Sequence, residues 1–199
     1  MADTPRHTLR VVRGAALAVA LAACSDTPVL PPAQIPVADQ VIVLYALTGT
    51  PVNTPSAYSI LLPGEVRLDQ STAFDFAFDI RPDSGFGLGT TGDTIAALLP
   101  RYQFGFTADG GLQPTTQKFD SISEAPRGGY ETKLPTRIRD SSVVFATSRL
   151  QTCNFGVYYP YYAKLVVQRI DLAARTATIH VVLDPNCGYR SLEPGIPTF

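Results

Sequence analysis

Tryptophan is absent from this 199-residue chain, histidine occurs twice and cysteine three times. The two histidines, His7 and His180, leave almost no material for a histidine-based metal centre or general base. A Ser-His-Asp triad would have to use His180, which sits mid-strand between threonine and valine neighbours, and no G-x-S-x-G elbow accompanies it. No apolar run approaches 18 residues, which excludes a multi-span helical membrane protein. Positive charge is not in excess: 16 basic residues against 17 acidic ones give a net charge of −1. Nucleic-acid binding, which needs a basic face, is therefore not expected. What the chain does have is 45% hydrophobic residues, 17 prolines and 15 glycines. That suffices for one domain with a real core, broken often by turns.

The amino terminus carries Arg6, Arg10 and Arg13 against Asp3, then the short apolar run Gly14 to Ala23. A basic stretch followed by about ten apolar residues is an export signal, because a spanning helix needs about 20. The run ends in Leu21-Ala22-Ala23-Cys24, which resembles the lipobox of bacterial lipoproteins. The resemblance covers the export segment only. It implies cleavage by signal peptidase II before Cys24, a diacylglyceryl group on the Cys24 thiol and, usually, an acylated new amino terminus, with palmitate as a typical chain. Two such chains at about 0.8 kcal/mol per buried methylene would make attachment effectively permanent. Cleavage removes three arginines and one aspartate, taking the net charge from −1 to −3. Adhesion to anionic headgroups is then not what would hold the protein at a membrane.

The domains expected are a signal peptide at 1–23, a lipidated proline-rich tether at 24–40 and a single β-domain at 41–199. Pro28, Pro31, Pro32 and Pro36 favour extended backbone in the tether; at about 3.1 Å per residue it could reach roughly 50 Å. Beyond it, short strands alternate with Pro/Gly/Ser/Thr punctuation, and no long helical stripe appears. Val41–Leu47 reads as a strand covered on both faces. In Ala73–Ile80, Phe74, Phe76, Phe78 and Ile80 share one face and Asp75, Ala77 and Asp79 the other, a period of two that only a strand explains. Arg101–Thr107 reads as a second aromatic ladder, of Tyr102, Phe104 and Phe106. Ser142–Leu150 is a further strand, and Tyr162–Ile170 with Arg175–Leu183 form a hairpin around Asp171 to Ala174. The fold class expected is all-β: an antiparallel β-sandwich, with immunoglobulin-like order as one form and a small β-barrel as the alternative.

With Cys24 committed to lipid, Cys153 and Cys187 remain as a pair, 34 positions apart, for one disulfide in an exported protein. Gly87-Leu-Gly89-Thr-Thr-Gly92 matches a dinucleotide-binding pattern, but Asp93–Leu99 is too short for the helix that pattern needs, so Asp83–Asp93 reads as a flexible loop. Asp75 and Asp79 lie too far apart for a glycosidase pair by themselves and read as solvent-facing acids. Arg127, Lys133, Arg137 and Arg139 concentrate basic charge in a segment that reads as a solvated loop. The tyrosines Tyr158, Tyr159, Tyr161 and Tyr162 around Pro160 form the most suggestive surface.

The function expected is that of a non-enzymatic cell-envelope lipoprotein carrying a β-sandwich interaction or structural module. The alternative is a saccharide- or small-hydrophobe-binding lipoprotein that uses the tyrosine run. No metal, cofactor or nucleic acid is expected; the partners are a bacterial membrane, inner or outer, through the lipid, and an envelope protein or saccharide.

Overall fold

The computed structural model describes residues 30–154 and 156–198; the lipobox and Cys24 lie outside them. The described chain is a sandwich of two five-stranded antiparallel sheets. The first sheet holds β1 (Ala38–Tyr45), β6 (Gly111–Thr115), β8 (Val143–Thr147), β11 (Tyr162–Asp171) and β12 (Thr176–Asp184), in the order β1-β12-β11-β8-β6. The second holds β2 (Ala57–Ser59), β3 (Gly64–Val66), β4 (Phe76–Pro82), β5 (Thr94–Pro100) and β7 (Thr136–Ile138), in the order β3-β2-β4-β5-β7. A separate two-stranded ribbon pairs β9 (Gln151–Asn154) with β10 (Val157–Tyr159). Both large sheets keep two free edges, so no barrel closes. The order is not that of an immunoglobulin domain either, since the second and third strands share a sheet here and lie in opposite sheets there.

Alternation produces the core. Ala177, Ile179, Val181 and Leu183 of β12 point inward with no measurable exposure, against Phe76, Phe78 and Ile80 of β4. Truncating one such aromatic to alanine typically costs about 3–5 kcal/mol. The outer faces are not left wet. Loops cover the second sheet with Phe74, Phe86, Phe104 and Phe106, and cover the first with Phe119, Ile122, Tyr130 and Leu192.

That double covering accounts for several departures from the sequence expectations. Asp75 and Asp79 are each only 2% exposed, not solvent-facing. Arg101–Phe104 is a 3₁₀ turn rather than a strand; its rings still reach the first ladder, with Phe104 and Phe106 edge-on to Phe74 at 5.1 and 5.8 Å. The strand preceding it is β5, whose Ala- and Leu-rich run carries little β-propensity of its own and is buried from Ile95 to Pro100. The Asp83–Asp93 segment is an ordered hairpin loop, because Asp83 accepts hydrogen bonds from the backbone of Ser84, Thr91 and Gly92 and from the Thr91 hydroxyl. It joins antiparallel neighbours, so its glycines cannot serve the parallel crossover of a dinucleotide site. Val41 and Val43 are 56% and 40% exposed: β1 is an edge strand with only one face covered.

The part of the proline-rich segment that is described, residues 30–40, packs on the domain. β1 begins at Ala38, and residues 30–37 are strapped to the domain before it. Tyr189 Oη bonds Pro31 O and Ala33 N at 3.1 and 3.2 Å. Asn186 accepts from the Gln34 and Ile35 amides and donates back to Ile35 O. Val37 N donates to Gly195 O. Gly188, at φ +80°, leaves the room that Leu30 and Tyr159 fill, since a Cβ there would lie 2.8 Å from Leu30.

The registers give the sandwich a polarity. Ala38, Asp184, Tyr162, Thr147 and Gly111 mark one end of the first sheet, joined by the strap, the ribbon and the Asp184–Tyr189 segment. Tyr45, Thr176 and Asp171 mark the other end, while β8 and β6 stop short of it, with Val143 opposite both Val166 and Thr115. The nine residues of β12 run from one to the other, roughly 26 Å at about 3.3 Å per residue step.

Candidate functional site

The cysteine pair comes together as the sequence arithmetic anticipates. Cys153 and Cys187 lie at disulfide distance, with Cα atoms 5.7 Å apart, and tie the ribbon to the segment that grips the strap. The tyrosines do not form a strip. Tyr158 is 62% exposed, Tyr159 and Tyr161 are half-buried against Gly188 and the sandwich core, and Tyr162 is buried with its ring 6.3 Å from Tyr130. Proline at 160 ends the ribbon and turns the chain into β11, which disperses the four rings.

The basic segment is dispersed too, with one exception. Lys133 lies over the Tyr102 ring, and Arg127 sits in the loop region covering the first sheet. Arg137 and Arg139 converge. Arg137 lies in β7 and Arg139 just past its end, both exposed, while Ile138 between them is buried in the core. Among the described residues neither guanidinium has a hydrogen bond or ion pair.

These two arginines flank a groove of about 880 Å³ at the sandwich end opposite the strap. Its formation follows from the register. β7 pairs with β5 only over Ala96–Leu98 and then turns at Arg139–Ser142, with Ser141 at φ 65°, to enter β8. Thr94 and Ile95 pair with β4 but have no strand on their β7 side, and the two sheets gape between them and Ile170 and Leu172 of the β11–β12 corner. Asp140 also lines the groove, but its carboxylate is engaged by the Ile170 amide at 2.7 Å. The result is an aliphatic trough with two free guanidiniums on its lip. Sequence reading located the charge but had no signal for which residues converge, because convergence depends on where β7 leaves β5.

The other reactive side chains are structurally employed. Asp75 and Asp79 hold backbone amides. His180 Nε2 sits 2.6 Å from Asp39, with its ring against Phe119. Among the described residues no His/Cys/Asp/Glu cluster has the geometry of a metal centre. Asp184 is fully buried beside Asn186, which bonds one carboxylate oxygen while the other has no partner. Burial holds this carboxyl above its ordinary value of 3.8, and the Asn186 hydrogen bonds offset that only in part.

The folded state therefore keeps a proton that the unfolded chain releases. The resulting stabilisation is complete below pH 3.8 and is lost as pH rises through the elevated value. Asp184→Asn removes this dependence. Urea midpoints at pH 4 and pH 7 are expected to show the native protein losing stability relative to the variant on going to pH 7; a gain would mean that the anion is well solvated.

No protein-family model matches the chain, and comparison with curated proteins returns no significant match.

Proposed function

We propose that this chain is a lipid-anchored protein of a bacterial cell envelope, a non-enzymatic interaction module held by Cys24 with its groove turned away from the bilayer. The observation that carries this reading is the position of the strap. Five residues separate Cys24 from Leu30, the first described residue, whose side chain packs at Gly188. That stretch spans at most about 20 Å when fully extended. A lipid on Cys24 would hold the ribbon end within reach of the headgroups and set the groove roughly 26 Å beyond it. Exposed Tyr158 sits at the near end, and a tyrosine with one apolar and one hydrogen-bonding end suits the membrane interface.

Two measurements test this. Cells grown with a labelled fatty acid are expected to label the protein and leave Cys24→Ser unlabelled, and equal labelling of both would remove the lipoprotein reading. A photoreactive lipid is expected to mark the peptide carrying Tyr158 and spare the one carrying Leu172; the reverse pattern would refute the orientation while leaving the anchor intact.

A further inference from the structure

The geometry points to the Arg137/Arg139 groove as a docking site for an extended acidic peptide segment of a partner protein, with an aliphatic side chain entering the trough and carboxylates meeting the guanidiniums. This site does not depend on lipidation of Cys24.

Three observations favour that occupant. The first is charge. Arg137 and Arg139 are unpaired in a chain whose overall charge is negative, and the one carboxylate lining the same groove is already committed to a backbone amide. Planar guanidiniums two residues apart match carboxylates of an extended chain at the same repeat, about 6.5–7 Å. The second is shape. A trough of about 880 Å³ whose lining includes Ile95, Ala96, Ile138, Ile170 and Leu172 has the size of a ligand site. Leu172 is 56% exposed at its rim, an apolar side chain with nothing over it among the described residues.

The third is backbone. Ala96 and Leu98 face β7, and Thr94, in phase with them, faces a position where no strand lies. A peptide there finds a main-chain edge as well as side-chain partners, the arrangement used when a segment adds to an open sheet edge.

The probe is a fluorescent peptide of alternating glutamate and leucine, titrated against the full-length protein by anisotropy at low and physiological salt. Saturable binding that weakens with salt is expected, together with at least about a tenfold rise in Kd for Arg137→Gln/Arg139→Gln. Leu172→Ser is expected to weaken binding as well, because it removes the aliphatic wall. Arg127→Gln/Lys133→Gln removes equal charge outside the groove and is expected to leave Kd unchanged. Equal loss in that control, equal binding of the lysine–leucine counterpart, or no saturation would each overturn the site. Anionic vesicles that bind through Arg137 and Arg139 while the peptide does not would overturn it in favour of a lipid surface. All three variants change exposed side chains only, so circular dichroism is expected to show each of them folded.

Discussion

Asp75→Ala is expected to destabilise the fold by about 3–5 kcal/mol, a large part of the 5–15 kcal/mol that holds a typical domain together. Asp75 is a buried junction. One carboxylate oxygen accepts from the Ile60 and Leu61 amides at 2.7 and 3.2 Å, and the other accepts from the Arg149 amide at 2.8 Å and its guanidinium at 3.0 Å. It joins the β2–β3 turn to the segment leaving β8, and so one sheet to the other. Alanine strands three amides and a guanidinium that is itself largely buried. Each orphaned buried donor adds its own desolvation cost. Urea denaturation of Asp75→Ala, Arg149→Ala and the double variant separates the terms. The double variant is expected to lose less than the sum of the singles, because each single leaves the other charge uncompensated. Strict additivity would mean that the pair is not coupled.

Removing the cysteine bridge ranks second. Cys153→Ser/Cys187→Ser opens a loop spanning 34 positions, for which the chain-entropy model gives about 3–4 kcal/mol. The effect should also be uneven. The β9–β10 ribbon pairs with neither large sheet, and an isolated two-stranded hairpin is marginal in water. Hydrogen exchange is expected to show ribbon amides losing protection in the double variant while β11 and β12 keep theirs. A uniform loss across the sandwich would mean that the bridge serves the whole fold rather than its end.

These two sites were legible to different degrees. The cysteine pairing follows from parity once Cys24 is set aside, and the β11–β12 hairpin follows from period-two alternation in Ala177, Ile179, Val181 and Leu183. Alternation also placed Asp75 and Asp79 on one face of the Ala73–Ile80 segment. It could not tell that both acids are buried, because their partners, Ile60, Leu61 and Arg149 for Asp75 and Thr48 for Asp79, lie elsewhere in the chain. Polar residues in a strand pattern read as wet by default, and only tertiary structure shows their amide partners. The same limit explains β5. Its Ala and Leu residues suit a strand only because both of its faces are buried, a property of neighbours rather than of the segment.

The groove was the least legible feature. Arg127, Lys133, Arg137 and Arg139 form one charge cluster by sequence, yet Ile138 and the short β7–β5 register separate the last two onto a shared lip. Nothing in the local sequence announces that β7 ends after three residues.

The strap and the first strand together set how the molecule would bear load. β1 starts at the strap end and runs along the sandwich axis, matched to β12 by eight consecutive residue pairs. A pull between a lipid at Cys24 and a partner in the groove would act along that strand and shear all eight pairs at once. The ladder could not then unzip one bond at a time. Asn186 and Tyr189 would be the first clips to yield, so a tug from the membrane would lengthen the leash by residues 30–37 before it strained the core.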